Sequence, residues 1–188
     1  MDIREFAATL VTRIEAARPP GVVQNEAAFE RDHIVQPAWE LSRANPEIRV
    51  FTHPANRSVK CRPTCDRAVS HFEHRVEGCP ACWARSKART VVDVFGIRNN
   101  FDLAAVDAND GSLAVEVKWL TLSATKGPNS EFQRFIGQCT LAAAGNDVVI
   151  GVCGLGGRRN RQLDAHEAEL KKKLGLMGVH LVVLRAGA

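Results

Sequence analysis

Between Phe101 and Leu120 the chain brings two carboxylates and a lysine into one strand–turn–strand segment. The segment reads FDLAAVDANDGSLAVEVKWL, and an Asp-Gly step between two β-prone runs is typical of a hairpin. Side chains alternate along a strand, so Glu116 and Lys118 share one face, roughly 6–7 Å apart. Asp102, near the start of the first strand, joins them if its face matches. Burying such charges is costly unless something compensates them, and a divalent cation with a phosphate group would do so.

These residues can form an ordinary surface ion pair, and they also resemble the core of a known protein superfamily. On an exposed strand face Glu-x-Lys is a common surface ion pair that contributes about 0–1 kcal/mol. However, Asp102, thirteen intervening residues and then Glu116-Val117-Lys118 resemble the core of the PD-(D/E)XK nuclease superfamily, which contains restriction enzymes and DNA-repair nucleases. The resemblance implies an α/β fold with a mixed sheet and a restriction-endonuclease-like core. It also implies hydrolysis with Mg²⁺ or Mn²⁺ held by Asp102, Glu116 and the Val117 carbonyl, with Lys118 orienting the attacking water.

The resemblance implies further site residues on two helices. In the superfamily a helix before the sheet often adds an acidic residue to the metal site, which here implies Glu26, with Glu30 as the alternative. A helix after the Glu-x-Lys strand often carries glutamine or basic residues toward the metal, which implies Gln138 in the catalytic site and Arg134 as a nucleic-acid contact. A solvated helix face would look the same in each case, and acidic residues also favour a helix start through the dipole.

A second group of chemically active residues lies in a basic segment from Lys60 to Arg89. Two cysteine pairs there, with three and two intervening residues, have the spacing of a tetrahedral Zn²⁺ site: Cys61, Cys65, Cys79 and Cys82. Four thiolates leave no position for water, so we expect a structural zinc that folds a small polar insert at 60–89. Free or transiently oxidised thiols are the alternative. His71 and His74 lie between the pairs, and His74 is a candidate phosphate contact.

Positive charge is concentrated in one part of the chain. The formal net charge is +4, but nine Lys or Arg residues lie between Arg49 and Arg89 against three acidic ones. Such a segment favours a nucleic-acid partner, with DNA expected first, although a hydrated basic loop has the same composition. A glycine-rich stretch at 154–161 adds three more candidate phosphate contacts: Arg158, Arg159 and Arg161.

The sequence also bears on location. No apolar run approaches the ~20 residues that span a bilayer, and the N-terminal segment lacks a signal-peptide core. We therefore expect no membrane partner and a cytoplasmic protein, whose six cysteines are metal ligands or buried thiols. A homodimer is left open.

Hydrophobic periodicity and turn signals predict the elements that position these residues. They predict helices over 3–17, from Asn25 toward Leu41, over 130–144 and over 163–175. Strands are expected at 48–53, 90–97, 101–107, 113–120, 148–153 and 179–184. We expect the second to fourth to form an antiparallel meander, with a turn at 98–100, and 154–161 to be a loop. A helix between β-prone runs favours a crossover and parallel pairing, hence a mixed α/β sheet in one domain over 1–188.

Three interpretations of function follow. The leading one is a metal-dependent nuclease, first of all a DNA endonuclease, with a structural zinc module that helps to bind DNA. The second is a non-catalytic nucleic-acid-binding or adaptor domain on the same fold, against which the presence of Asp102, Glu116 and Lys118 together argues. The third is a zinc-stabilised protein-interaction domain, which the basic segment disfavours.

Overall fold

A five-stranded mixed sheet forms the centre of the protein. The computed structural model describes residues 1–17, 25–52, 91–94, 97–122, 130–157 and 161–186. The strands in these residues are β1 (Arg49–Thr52), β2 (Val91–Val94), β3 (Ile97–Asn100), β4 (Leu103–Val106), β5 (Ser112–Leu122), β6 (Val148–Gly157) and β7 (Val179–Arg185). The large sheet has the order β1-β4-β5-β6-β7, and β2 and β3 form a separate two-stranded ladder. The predicted α/β class with a mixed sheet is confirmed.

The direction of pairing changes at β5. Strands β1, β4 and β5 pair antiparallel, whereas β5, β6 and β7 pair parallel. Parallel neighbours need a crossover, and the helices α4 (Ser130–Ala143) and α5 (Arg161–Gly175) lie between these strands in the chain. Among the described residues, β5 pairs with β6 on one edge from Leu113 to Leu122 and with β4 on the other edge from Ser112 to Val115.

Helices cover both faces of the sheet. One face packs against α1 (Ile3–Ala16), α2 (Glu26–Glu30) and α3 (Gln36–Ala44), with Val115 and Val117 among the strand residues of that core. The other face packs against α4 and α5, with Phe135, Cys139 and Leu174 among the helix residues. The alternation predicted for β5 is thus realised, since its odd-numbered apolar residues lie in the first core and Ala114 lies in the second.

A π-helical turn joins α2 to α3. Over Arg31–Val35 the helix widens, and the Gln36 N–H donates to the Arg31 carbonyl, five residues back. Pro37 follows at once and has no N–H to donate. The wide turn lets the helix continue past the proline to Ala44, directly before the Asn45-Pro46 step that the sequence predicts will end it.

The predicted antiparallel meander is wrong. The expected strand at 90–97 is divided into β2 and β3, which pair with each other from Val94↔Ile97 to Val91↔Asn100. The predicted turn at 98–100 lies within β3, and β1 takes the place beside β4. Two residues that include Gly96 separate the two runs, and this is a connection length that suits a hairpin.

The predicted glycine-rich loop at 154–161 is wrong over its first half. Strand β6 continues to Gly157 in parallel register with β5 up to Leu122↔Gly157. The glycines make room for an aromatic ring, because a Cβ at Gly154 would lie 2.8 Å from Trp119 Cζ3 and one at Gly156 would lie 2.7 Å from Trp119 Cζ2. Glycine in a strand here marks a close approach by a side chain.

A buried aspartate ties the N-terminus to the β4–β5 turn. Asp107 Oδ2 accepts from Ile3 N at 2.9 Å, and Oδ1 accepts from Asn109 N and Gly111 N at 2.8 Å each. Burial alone would raise the pKa of Asp107, but the hydrogen bonds from Gly111, Asn109 and Ile3 hold that pKa below its ordinary value. The predicted hairpin therefore closes through an aspartate as well as through its Asp-Gly step.

Several predictions concern residues outside the described part. They are the zinc ligands Cys61, Cys65, Cys79 and Cys82, the insert at 60–89, and His74, Arg158 and Arg159. Arg161 is the first residue of α5. Within the described ranges, no helix combines the length and the apolar character that crossing a bilayer requires.

Candidate active site

The site forms where β5 runs past the end of β4. Their ladder ends at Leu103↔Val115, so within the described residues the next part of this β5 edge has no strand beside it. Two carboxylates accept from backbone N–H groups along this part of the edge. Val117 N–H donates to Asp102 Oδ2 at 2.7 Å, and Trp119 N–H donates to Glu26 Oε2 at 2.9 Å. In a strand the N–H and C=O of a residue point the same way, so the Val117 carbonyl lies on this edge too.

Asp102 therefore occupies the position that the sequence left conditional. It precedes the Leu103↔Val115 pair by one residue, its Oδ2 accepts from Val117 N, and its charge raises the pKa of Glu116. Burial raises the pKa of Asp102 from 3.8 to about 7; the hydrogen bond from Val117 and the charge of Lys118 oppose the rise, and Glu26 adds to it. The two carboxylates of the motif thus lie side by side.

Glu116 is the most deeply buried acid of the group. Its exposed fraction is 5%, and Oε2 has no hydrogen-bond partner among the described residues. Burial, followed by the charges of Asp102, Glu26 and Glu30, raises the pKa of Glu116 from 4.5 to about 9, against the opposing charge of Arg134. A carboxylate in this environment favours a proton or a cation.

Lys118 is held in place by Glu26, which lies on helix α2. Its Nζ lies 3.0 Å from Glu26 Oε2 and 3.3 Å from Oε1, and the two side chains are 28% and 43% exposed. Glu26 is the first residue of α2, which Asn25 caps by accepting from Ala28 N at 2.9 Å. The helix start and the strand edge thus meet through one carboxylate.

The fit to a metal ion depends on which acids remain available. Among the described residues, no three His, Cys, Asp or Glu side chains converge as a ready-made metal-binding cluster. Glu26 has contacts on both oxygens, whereas Asp102 accepts from Val117 N–H through Oδ2 and Glu116 Oε2 has no partner among the described residues. The candidate ligands are therefore Asp102, Glu116 and the Val117 carbonyl. Two carboxylates and a carbonyl are hard oxygen donors of the kind that Mg²⁺ and Mn²⁺ take, with water and substrate in the remaining positions. The unpartnered Glu116 Oε2 and its raised pKa fit such a cation.

The structure brings predicted residues of α2, β5 and α4 to the neighbourhood of Asp102, which directly precedes β4. Asp102, Glu116 and Lys118 are joined by Glu26 from α2, and Glu30 is close enough to raise the pKa of Glu116. From α4 the exposed Arg134 lowers the same pKa. Gln138 follows one turn later on α4 and is half-buried.

Sequence reasoning missed the role of the strand edge. The backbone N–H of Trp119 and its acceptor on α2 have no signature in the residue pattern, because the end of β4 decides where the edge becomes unpaired. The available signal was the hairpin itself: counting back from Val106↔Ser112 at the turn places Asp102 opposite Glu116.

Comparisons with known proteins give little. No family model matches the chain, and no curated protein matches it. A solved structure described as "The structure of Pyrococcus Furiosus SfsA in complex with Ca2+" is similar at 17% identity and a TM-score of 0.34. The match covers 81% of this chain and 58% of that one, so the chain spans less than two thirds of its length. A likeness at this level carries no argument about function.

Proposed function

We propose that this protein is a metal-dependent nuclease that hydrolyses phosphodiester bonds, with DNA as the substrate. The observation that carries the proposal is the meeting of Asp102, Glu116 and Lys118 at the unpaired edge of β5. Two carboxylates whose pKa values are raised, beside a lysine, form a site that a cation and a phosphate complete in charge. A surface ion pair alone would not require a carboxylate 5% exposed with an unpartnered oxygen.

The residues would divide the work as follows. Asp102, Glu116 and the Val117 carbonyl would hold Mg²⁺ or Mn²⁺, which supplies a Lewis acid that lowers the pKa of bound water and neutralises phosphoryl charge. Lys118 would donate to the attacking water or a phosphoryl oxygen, where negative charge grows in the transition state. Arg134, exposed on α4 beside Glu116, would contact a phosphate next to the one cleaved, and Gln138 would help to position it.

The basic and cysteine-rich segments extend the proposal. Cys61, Cys65, Cys79 and Cys82 would bind one structural Zn²⁺. His74 in that insert would contact the DNA backbone, and so would Arg158, Arg159 and Arg161 of the separate glycine-rich stretch. Metal analysis of the purified protein should find about one zinc per chain. Replacing one residue of each pair, Cys61→Ser and Cys82→Ser, should release it. A protein that is folded and zinc-free would remove the zinc module from the proposal and leave the β5 site unaffected.

One alternative is favoured by a specific observation. Glu26 pairs with Lys118, and no three-residue metal cluster exists among the described residues, which is also what a non-catalytic nucleic-acid-binding or adaptor domain would have. Such a domain would bind DNA without cutting it. The two functions differ in one measurable property, the metal dependence of phosphodiester cleavage.

The test is cleavage of supercoiled, linear and single-stranded DNA by the purified protein with Mg²⁺ or Mn²⁺. We expect cutting that EDTA abolishes and that Lys118→Ala reduces by at least about 100-fold. DNA affinity and the folded circular-dichroism spectrum should be unchanged. Lys172→Ala, on the exposed face of α5, is the matched control and should cut like the wild type. No cleavage of any substrate would refute the nuclease, and equal cutting by Lys118→Ala would identify a contaminant.

A further inference from the structure

We propose that Glu26 is a positioning residue that fixes Lys118, and that it is not a ligand of the catalytic metal. This inference rests on the proposed nuclease function and assigns a role within the same site. It differs from the role that the sequence resemblance implies, in which an acid on this helix joins the metal.

Both oxygens of Glu26 are already engaged by the chain. Oε2 accepts from Trp119 N at 2.9 Å and lies 3.0 Å from Lys118 Nζ, while Oε1 lies 3.3 Å from the same nitrogen. One carboxylate thus binds the Trp119 N–H of β5 and the side chain of the preceding residue, Lys118. A lysine side chain has four rotatable bonds, so it needs such a partner to stay in one position.

The carboxylate is presented by a helix start that cannot shift easily. Phe29, three residues after Glu26, is 1% exposed, and its ring centroid lies 5.0 Å from that of Trp119. Trp119 in turn lies against the glycines of β6, where any Cβ would meet the indole. Asn25 caps the helix one residue before Glu26. The packing therefore fixes the distance from Glu26 to the β5 edge.

The metal-facing features lie on other residues. Glu116 is buried with an unpartnered oxygen, whereas the Glu26 side chain is 43% exposed and its oxygens have partners. A metal bound to Glu26 would compete with Lys118 Nζ, which contacts both oxygens of this carboxylate, and would place a cation next to that ammonium group. Like charges this close repel, so the pairing with Lys118 disfavours a metal on Glu26.

The substitution that separates the two roles is Glu26→Gln. The glutamine oxygen can still accept from Trp119 N–H, but the charge that holds Lys118 is gone. We expect kcat at saturating Mg²⁺ and DNA to fall about 100-fold, as for a displaced catalytic group, while KM for DNA stays near the wild-type value. Glu40→Gln is the same change at an exposed position of α3, where the partner is Gln36, and it should leave kcat unchanged.

Direct Mn²⁺ binding, followed by the electron paramagnetic resonance signal of the free ion, decides whether Glu26 is a ligand. Glu30→Gln removes another negative charge near Glu116 and measures the electrostatic part of any loss. We expect Glu26→Gln to bind Mn²⁺ within about threefold of Glu30→Gln. Glu116→Gln should lose at least about tenfold. If Glu26→Gln does not fold, Glu26→Asp keeps the charge but withdraws the carboxylate from Lys118. We then expect kcat to fall while the Mn²⁺ affinity stays at the wild-type value, and a loss of affinity as large as that of Glu116→Gln would refute the inference.

The outcomes separate the two proposals. A wild type that binds Mn²⁺ and cuts no DNA overturns the nuclease function itself. A wild type that cuts, with Glu26→Gln retaining full kcat, overturns the positioning role alone. A loss of Mn²⁺ affinity in Glu26→Gln as large as that in Glu116→Gln makes Glu26 a metal ligand and refutes the inference.

Discussion

Replacing Glu116 with glutamine should make the metal-free protein more stable at neutral pH. In the fold the pKa of Glu116 rises from 4.5 to about 9, first because of burial and then because of Asp102, Glu26 and Glu30. Near pH 7 the unfolded chain therefore carries an ionised Glu116, and the folded chain must take up a proton. Glutamine has nearly the same shape and carries no charge in either state.

The magnitude follows from the distance between pH 7 and the ordinary pKa. Each unit is worth about 1.4 kcal/mol, so two and a half units from the 4.5 starting value amount to about 3 kcal/mol near pH 7. An unpartnered buried amide costs about 1 kcal/mol in return, which leaves a gain of about 2 kcal/mol. Because this pKa is raised, the stability that Glu116 contributes is complete below its unfolded pKa and is lost as pH rises toward 9.

The assay is urea unfolding in EDTA at several values between about pH 5 and about pH 8.5. We expect the wild-type free energy of unfolding to fall with pH and Glu116→Gln to remove about 1.4 kcal/mol per unit of that slope. Glu40→Gln, at an exposed helix position, should follow the wild type. Parallel curves for wild type and Glu116→Gln would mean that Glu116 is neither buried nor crowded by acids, and the reasoning about the site would be wrong.

Two further predictions concern the fold that holds the site. Gly154→Ala should destabilise the protein by about 1–3 kcal/mol, because its Cβ would meet the Trp119 ring. Gly137→Ala in α4, whose Cβ would meet nothing within 4 Å, should stabilise it by about 0.5–1 kcal/mol. Equal urea midpoints for the two variants would contradict this prediction. Asp107→Asn should lower the melting temperature by several degrees, because one amide oxygen cannot accept the N–H groups of Ile3, Asn109 and Gly111 together; an unchanged melting curve would show that these bonds do not matter.

The parts of the fold that were predicted correctly depend on local patterns. Helix α4 lies where periodicity predicts a helix over 130–144, and Phe135 and Cys139 are buried on it. The Asp-Gly step closes the predicted hairpin, and counting back from Val106↔Ser112 brings Asp102 level with Glu116. Both signals lie within a few residues of the structure that they predict. Periodicity and turn chemistry are sufficient in such cases.

The parts that were missed depend on partners distant in sequence. Glycines at 154 and 156 suggest a loop until Trp119, more than thirty residues earlier in the chain, is known to lie against them. The place beside β4 is taken by β1, from about fifty residues earlier in the chain, and no local pattern shows that β1 and not the 90–97 segment pairs there. The sequence predicts Glu26 as the acid on this helix, but its contact with Lys118 follows from the packing of α2 on β5, which no local pattern encodes.

The central claim is that Asp102, Glu116 and the Val117 carbonyl hold a divalent cation at the unpaired edge of β5. A crystal soaked in Mn²⁺ and measured at a wavelength where manganese scatters anomalously tests it most directly. The account predicts one anomalous peak within about 2.0–2.4 Å of oxygens from all three residues. A crystal without a peak there at saturating Mn²⁺, and with Glu116 still unpartnered, would contradict it.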